Sequence, residues 1–201
     1  MSPRPWIIAE TNWKHVKATR YEVAMLPWGA TEAHNWHLPY ATDSLQNDAI
    51  AAEAGRIAWE AGAKVAILPT VPFGVQTGQL DVPFCINMNP TTQMMVLEDI
   101  ISSLEGVGVM KFVIMNGHGG NAELMQLAVR DIVLEHPVRA AAGSYWNIAW
   151  DALIAADEAR AILAQPAPDR SAERLARGAG VIELGVGGLE RDLAVVRRDR
   201  G

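Results

Sequence analysis

Short apolar segments alternate along this chain with longer segments whose apolar residues recur every three or four positions, and this alternation restricts the possible folds most. The predicted strands cover residues 22–27, 64–69, 111–116 and 138–144. The predicted helices cover residues 43–61, 89–105, 121–135 and 146–164, with Asp43 or Ser44 as the cap of the first. Strands joined by helices in this way predict an α/β fold around a parallel sheet.

Composition excludes several classes of protein. Half of the 201 residues are hydrophobic and 20% are charged, so the chain can bury a core and is not a disordered polymer. The formal net charge of −6 argues against nucleic acid or anionic lipid as a partner. We find no apolar run of about eighteen residues, no signal-peptide pattern in residues 1–13, and no second cysteine to pair with Cys85. We therefore expect a cytoplasmic protein without a membrane partner.

Two turns that follow predicted strands carry residues suited to chemistry. The first contains Glu32 and His34, and the second, residues 116–121, contains His118. Parallel α/β sheets bind ligands beyond the carboxyl ends of their strands, which is where both turns are expected. Glu32 and His34 are two positions apart, so their side chains point to one side of an extended chain. Asp43 follows at the start of the next helix, so two carboxylates and two imidazoles can converge.

These side chains suit a metal ion. Mixed nitrogen and oxygen ligands are typical of sites for Zn(II), Mn(II) or Fe(II), whereas a thiolate site is excluded. One aspartate can bridge two ions about 3.5–4 Å apart, because each carboxylate oxygen can bind one of them. The glycines beside His118 allow the backbone to approach a ligand closely. Metal binding by this set is therefore one interpretation.

Plainer interpretations compete with it. A single histidine after a strand is more often hydrogen-bonded scaffold than ligand, and we assign a scaffold role to His15 and His136. Residues 119–121, at a helix start, could instead hold an anion on free N–H groups. Cys85 is better interpreted as a buried, inert residue than as a nucleophile. Four tryptophans either line a pocket or pack in the core: Trp28, Trp36, Trp146 and Trp150.

The sequence resembles the creatininase, or creatinine amidohydrolase, family over about residues 20–150. The resemblance is carried by Leu26-Pro27-Trp28-Gly29-Ala30-Thr31-Glu32-Ala33-His34, by His37-Leu38-Pro39 and Thr42-Asp43, and by Asn116-Gly117-His118-Gly119-Gly120-Asn121. It implies three layers, with helices on both faces of a mainly parallel sheet, and a homo-oligomer that is commonly a hexamer. It also implies hydrolysis of a carbon–nitrogen bond in a cyclic amide or related small molecule at two metal ions, usually Zn with Mn or Fe.

The resemblance assigns metal-binding roles to individual residues. Glu32, Asp43 and His118 would hold one metal, and His34 with the other oxygen of Asp43 would hold the second. His37 matches a family histidine that would support the ligands by orienting them. The centre would thus draw on both turns.

Substrate contacts are implied for two further segments. Residues 144–146 resemble a segment near the family's substrate pocket, which makes Trp146 a candidate for substrate binding. Gly119, Gly120 and Asn121 end the second motif, and we expect them to face the substrate as well. Creatininase proper has a glutamate, a further ligand of the second metal, at the position of Gly120. Relatives with glycine there act on formamide-type compounds, peptides or sugar-derived lactone or ketone rings, so creatinine itself is not the expected substrate.

The C-terminal part departs from the family pattern. The family continues with a His-Ala-Gly-Glu segment that supplies a catalytic histidine and a metal-associated glutamate, whereas no histidine follows His136 here. Residues 160–201 hold eight of the seventeen basic residues and no aromatic residue. We divide the chain into a creatininase-like α/β domain, residues 1–165, and an atypical tail, residues 166–201. Our hypothesis is that the tail is a truncated or frame-shifted substitute.

The function predicted is that of a metal-dependent amidohydrolase, impaired by the loss of the C-terminal catalytic segment. Two alternatives stay open. A hydrolase or isomerase of a cyclic sugar derivative would use the same metals. A non-catalytic subunit would retain only the fold, and the long segment 71–89 would then matter more than the metals, since loops of this length are usually functional or make contacts.

Overall fold

The computed structural model describes residues 4–147, 179–182 and 194–198. The strands in these residues are β1 Val23–Trp28, β2 Val65–Ile67, β3 Lys111–Asn116, β4 Arg139–Ser144, β5 Ala179–Ile182 and β6 Ala194–Arg198. The α-helices are α1 Trp13–Ala18, α2 Thr42–Glu60, α3 Pro90–Gly106 and α4 Ala122–Glu135, and 3₁₀ turns cover Ile8–Glu10, Thr77–Gln79 and Gly119–Asn121. Within the described part of the chain, no helix has both the length and the hydropathy needed to cross a bilayer.

The sheet is parallel from β1 to β4 and antiparallel beyond β4. Its strand order is β2-β1-β3-β4-β6-β5. β1 pairs in parallel with β2 and β3, and β3 pairs in parallel with β4, whereas β6 is antiparallel to both β4 and β5. Trp28 lies opposite Asn116, and Asn116 lies opposite Ser144. The carboxyl ends of β1, β3 and β4 are therefore level, and the turns that follow them meet at one edge.

Helices cover both faces of the sheet, because alternate residues of a strand point to opposite sides. Leu26 and Trp28 belong to an apolar cluster that includes Leu97 of α3 and residues of α4. Val23 belongs to a separate cluster with Ala51 of α2. The predicted three-layer α/β architecture with a mainly parallel sheet is confirmed.

The predicted boundaries of β1 to β4 and α2 to α4 lie within two residues of the observed ones. The capping prediction for α2 is wrong. This helix begins at Thr42 after Ala41, and no side chain caps it. Asp43 lies in its first turn and directs its carboxylate at histidines instead. The predicted helix 146–164 lies almost entirely outside the described residues.

Residues 71–89, called the 71–89 loop below, lie over the carboxyl edge of the sheet. The backbone N–H of Gly29 donates to the carbonyl oxygen of Val71 at 2.9 Å, and the indole N–H of Trp28 donates to that of Phe73 at 2.8 Å. The loop therefore packs directly against the turn that follows β1.

Part of the predicted tail continues the same sheet. β5 and β6 lie within residues 166–201, and β6 pairs with β4. The described residues include 179–182 of the segment 177–183, which stands in place of the family's His-Ala-Gly-Glu motif, and the rest of the tail lies outside them apart from β6. The division of the chain at residue 165 and the hypothesis of a truncated or frame-shifted tail stay predictions.

Candidate metal centre

Four side chains from three elements meet at the carboxyl edge of the sheet. Glu32 and His34 belong to the turn after β1, His118 belongs to the turn after β3, and Asp43 lies in the first turn of α2. The register of β1 and β3 puts both turns at the same level. The amide of Asn47, further along α2, donates to the last carbonyl of β1 at 2.9 Å and so fixes the helix against the strand.

The distances between these side chains are those of groups in contact. His118 Nδ1 lies 2.9 Å from Glu32 Oε1 and 3.0 Å from Asp43 Oδ2. His34 Nε2 lies 2.9 Å from Asp43 Oδ1 and 3.6 Å from Glu32 Oε1. One ligand atom each from Glu32, Asp43 and His118 lies within 4.8 Å of the others, a spacing that one metal ion can span. Both turns thus contribute to one cluster.

Asp43 lies between the two imidazoles, with Oδ1 facing His34 and Oδ2 facing His118. A carboxylate in this position can serve two cations at once. Glu32 and Asp43 are only 8% and 6% exposed, and two carboxylates buried this close together carry negative charge that a cation can balance. The donor set of carboxylate oxygens and imidazole nitrogens therefore fits a divalent cation.

The backbone of the 71–89 loop fixes the tautomer of His118. Nε2 lies 2.9 Å from the carbonyl oxygen of Val75 and donates a proton to it, so Nδ1 is the nitrogen that faces Glu32 and Asp43. Protonated Nδ1 donates to these carboxylates, and deprotonated Nδ1 can bind a cation together with them. Burial alone lowers the pKa of His118, but hydrogen bonds to Asp43 and Val75 and the charge of Glu32 outweigh it, so the pKa is raised. An imidazole so placed exchanges a proton for a cation when a metal binds.

Sequence reasoning missed the contribution of the 71–89 loop to the site. Gln79 Nε2 donates to Glu32 Oε2 at 2.7 Å, and the amide of Gln76 lies 3.1 Å from His118 Nε2. The signal available in the sequence was the length of the loop, which predicts contacts but does not say which residues make them.

The structure does not bring His37 to the candidate ligands. Asn35 has a φ of 58°, a left-handed conformation that asparagine tolerates, and the chain turns back so that His34 pairs with Leu38. His37 is exposed on this turn and, among the described residues, has no hydrogen-bond or ion-pair partner. The carbonyl oxygen of Glu32 lies 3.3 Å from His34 Nδ1 and occupies the place expected for a supporting group.

Asn121, a predicted substrate-binding residue, belongs to the scaffold. Its side chain is fully buried. Oδ1 accepts from the backbone N–H of Val75 at 3.0 Å and from the amide of Gln93 at 2.9 Å, and Nδ2 donates to the carbonyl of Gly29 at 3.2 Å. The side chain therefore joins both turns and the 71–89 loop rather than facing a substrate.

The two glycines before Asn121 have different surroundings. A Cβ added to Gly120 would lie 2.2 Å from the carbonyl oxygen of Val75 and 2.7 Å from His118 Nε2. A Cβ added to Gly119 would meet no atom of the described residues within 4 Å. A side chain at position 120 would therefore require the loop to move, and a further metal ligand has no room there.

Trp146 lies at the same sheet edge, just after β4. Its ring packs edge to face on Tyr145, with centroids 5.2 Å apart, and is 37% exposed. Burial, and then the charge of Asp43, raise the pKa of Tyr145, so this ring lies close to the candidate centre. The contact of Trp146, Gly119 and Gly120 with a substrate stays a prediction.

The remaining sequence candidates lie in different surroundings. Trp28 is fully buried in the core, Trp36 is exposed, and Trp150 lies outside the described residues.

Cys85 is half-buried, which corrects the prediction of a buried thiol, and its Sγ both donates and accepts a hydrogen bond. His136 contacts two glutamates of α3 at 2.7 and 3.0 Å, as a scaffold residue does.

The fold and the cluster agree with one known family. The family model named Creatininase, for creatinine amidohydrolase, matches residues 9–174. The chain therefore belongs to the creatininase family, as the two sequence motifs indicate.

Individual relatives show the extent of the similarity. Creatinine amidohydrolase of Pseudomonas putida is 28% identical over 158 residues, which are 72% of this chain and 59% of that protein. A crystal structure from Bacteroides fragilis NCTC 9343, provisionally named creatinine amidohydrolase, is 41% identical with a TM-score of 0.67 and covers 71% of this chain and 56% of that one. A solved structure named as a manganese creatininase is 26% identical with a TM-score of 0.59, over 72% and 60% of the two chains. The chain thus spans less than two thirds of the length of these relatives.

Proposed function

We propose that this chain is a metal-dependent amidohydrolase that cleaves a carbon–nitrogen bond in a small cyclic amide. The observation that carries the proposal is the position of Asp43, whose two oxygens face His34 and His118 beside the carboxylate of Glu32. Relatives named creatinine amidohydrolase support the reaction class. Because the chain spans 59% of the Pseudomonas putida protein, its activity, substrate and partners all belong to the proposal.

The residues of the cluster divide between two cation positions. Glu32, Asp43 and His118 would hold the first cation, and His34 with Oδ1 of Asp43 would hold the second. A divalent cation here supplies polarisation of a carbonyl group and activation of water. The protein contributes orientation, because the hydrogen bond from His118 to Val75 keeps Nδ1 directed at the site. Burial of the carboxylates limits access of bulk water and strengthens these electrostatic interactions.

Zinc is the cation that we infer for the first position. One imidazole and two carboxylates make three protein ligands, and catalytic zinc commonly has three, with a further position left for water or substrate. Manganese or iron suits the second position, where the ligands are equally nitrogen and oxygen. The relative named as a manganese creatininase supports a site that accepts more than one metal.

The first position is expected to bind more tightly than the second. It has three protein ligands, whereas His34 and Asp43 are the two that the described residues offer to the second. The carbonyl of Val75 closes the space beside Gly120 from which a further ligand could come. A site with fewer protein ligands holds its ion less tightly, so one metal per chain is expected at limiting concentration.

Hydrolysis by this polypeptide is expected to be slow. A general acid that protonates the leaving nitrogen contributes about 10²–10⁴-fold in rate. The family pattern supplies a histidine after the second motif, and no histidine follows His136 in this sequence. Residues 137–201 thus provide no histidine that could act as this acid, although the candidate metal ligands are present.

A homo-oligomer in the cytoplasm is the assembly that we propose, with a hexamer as the form implied by the family resemblance. Several large apolar side chains are exposed on one copy, including Trp13 at 74%, Trp36 at 101% and Phe84 at 85%. Contact with another copy would remove such side chains from water, which is favourable. The lone Cys85 suits a reducing compartment.

Metal content of the purified chain tests the proposed centre. We expect zinc in the wild-type protein and loss of both ions from Asp43→Asn, because the carboxamide cannot bridge two cations. His15→Ala is the matched control, since His15 is an exposed histidine outside the site, and it should retain the wild-type content. Equal metal in wild type and Asp43→Asn would contradict the centre, and two tightly held ions with rapid turnover would contradict the weak second position.

A screen of cyclic amides against cyclic keto-sugars tests the reaction. Metal-dependent turnover of a cyclic amide, lost in His118→Ala, is the expected result. Turnover of the sugars alone would favour the alternative hydrolase or isomerase. A metal-loaded chain that turns over neither class would favour a non-catalytic subunit.

A further inference from the structure

We propose that Gln79 is a positioning residue that holds Glu32 as a ligand through one oxygen, and that Cys85 holds Gln79 in the orientation required. The proposal rests on the metal centre proposed above and extends it to the 71–89 loop. It assigns a role to two residues that neither turn contains.

The two oxygens of Glu32 have different surroundings. Oε1 lies 2.9 Å from His118 Nδ1 and 3.6 Å from His34 Nε2, so it faces the candidate ligands. Oε2 accepts a hydrogen bond of 2.7 Å from Gln79 Nε2 on the opposite side. A carboxylate with one oxygen engaged in this way binds a cation through the other. Gln79 therefore selects the oxygen that is available to a metal.

Cys85 determines which end of the Gln79 amide faces the carboxylate. Its thiol donates to Gln79 Oε1 at 3.2 Å, and this leaves Nε2 to donate to Glu32. The backbone N–H of Ala33 in turn donates to Cys85 Sγ at 3.2 Å. These three hydrogen bonds link the carboxylate of Glu32, through Gln79 and Cys85, to the backbone N–H of Ala33. Because Ala33 follows Glu32 in the chain, the contacts form a closed ring. The ring restrains the carboxylate relative to its own main chain.

The backbone around Cys85 holds the thiol in this ring. The N–H of Ile86 donates to the carbonyl of Thr31 at 3.0 Å, which pairs the loop with the turn after β1. Phe84 has a φ of 62°, a left-handed conformation that is unfavourable for a bulky residue, and it turns the chain immediately before Cys85. Two local features thus fix the thiol between Ala33 and Gln79.

Zinc binding to the full chain, measured by competition with a chromophoric chelator, tests the proposal. Gln79→Leu removes the donor to Glu32 and keeps the approximate size, and we expect zinc affinity to fall about 10–100-fold. Cys85→Ala removes the thiol alone, and we expect a loss of roughly two- to tenfold, the value of one neutral hydrogen bond. Cys85→Ser can donate and accept at the same places, and it should restore affinity to within about twofold of wild type.

Thr31→Ala is the matched control. It removes the hydrogen bond of 2.8 Å from the Thr31 hydroxyl to the carbonyl of Pro72, which joins the same two segments without touching Glu32. Its zinc affinity should equal that of the wild type. A loss in Thr31→Ala as large as that in Gln79→Leu would overturn the proposal, because loop integrity alone would then explain both.

Other outcomes are equally decisive. Wild-type affinity in a folded Gln79→Leu variant overturns the positioning role and leaves the metal centre standing. If Gln79→Leu does not fold, equal affinities of Cys85→Ala and Cys85→Ser overturn the role, whereas rescue by serine supports it. A folded wild-type chain that binds no zinc overturns the proposed function, and the positioning role with it.

Discussion

The side-chain amide of Asn121 donates a hydrogen bond to the backbone carbonyl of Gly29 across 3.2 Å, although 92 residues separate the two in sequence. The same side chain accepts hydrogen bonds from the N–H of Val75 and from Gln93. One fully buried amide thus sets the relative positions of the two turns that carry the candidate ligands and of the 71–89 loop above them.

Replacement of this amide is expected to cost stability. Asn121→Ala leaves several buried partners without a hydrogen bond, and we expect the free energy of unfolding to fall by about 3 kcal/mol. Denaturant unfolding of the metal-free protein measures the change. Asn89→Ala is the control, because Asn89 is exposed and its side chain accepts one hydrogen bond, from Asn87. A loss of similar size in both variants would contradict a special role for Asn121.

Any side chain at position 120 is expected to destabilise the folded protein. The Cβ of Gly120→Ala would lie 2.2 Å from the carbonyl oxygen of Val75, so the loop must shift, and we expect a loss of about 1–3 kcal/mol in unfolding free energy. Gly119→Ala is the matched control, since a Cβ there would meet no described atom within 4 Å. Thermal melting of both variants checks this, and equal melting temperatures would show that the loop yields easily.

His136 is expected to make stability depend on pH. Burial lowers its pKa, but hydrogen bonds to Glu105 and Glu98 outweigh burial, so the folded pKa lies above the reference value of 6.5. Protonated His136 therefore stabilises the folded state, fully below about pH 6.5, and the contribution is lost as pH rises through the folded pKa. Both glutamates are partly exposed, at 53% and 30%, so the contribution is at most about 1 kcal/mol.

The difference in unfolding free energy between the wild type and His136→Asn measures this contribution. It should be largest below about pH 6.5 and should decrease as the pH rises through the folded pKa of His136. His15→Asn, which alters an exposed histidine of α1 whose ring contacts Asn12, is the control for the replacement of an imidazole by a carboxamide. A difference that grows as the pH rises would have the opposite sign and would contradict the ion pairs.

Replacement of Phe84 by glycine is expected to stabilise the folded protein. Its φ of 62° costs about 1–2 kcal/mol for a residue with a Cβ, and glycine relieves this at a smaller entropic cost. The side chain is 85% exposed, so little burial is lost. Phe84→Gly should gain about 0.5–1 kcal/mol in unfolding free energy, whereas Phe84→Ala keeps the strain and should gain nothing. Equal stability of the glycine and alanine variants would contradict the strain.

The sequence was sufficient for the sheet and the helices because these depend on local periodicity. The run that became β3 is apolar and ends at Asn116, and its predicted bounds are the observed ones. The approach of Glu32, Asp43 and His118 followed from the rule that turns after parallel strands share an edge. Local pattern and sheet geometry were enough for these features.

The supporting contacts could not be predicted in the same way. The positions of Gln79 and Cys85 depend on the path of the 71–89 loop, which has no repeating pattern. His37 was assigned by resemblance, but the turn at Asn35 leaves it exposed on the surface. In such a tight turn, a single backbone angle determines whether the next side chains are buried or exposed. The composition of the sequence does not give that angle.

The close approach of the Val75 carbonyl to Gly120 has a consequence for the family as a whole. A main-chain oxygen and a side chain cannot share that volume, so a homologue with a larger residue at the corresponding position must carry its covering loop along another route. The residue at this one alignment column therefore predicts which of two routes the 71–89 loop takes past the candidate metal centre, and homologues can be sorted by it before any further structure is determined.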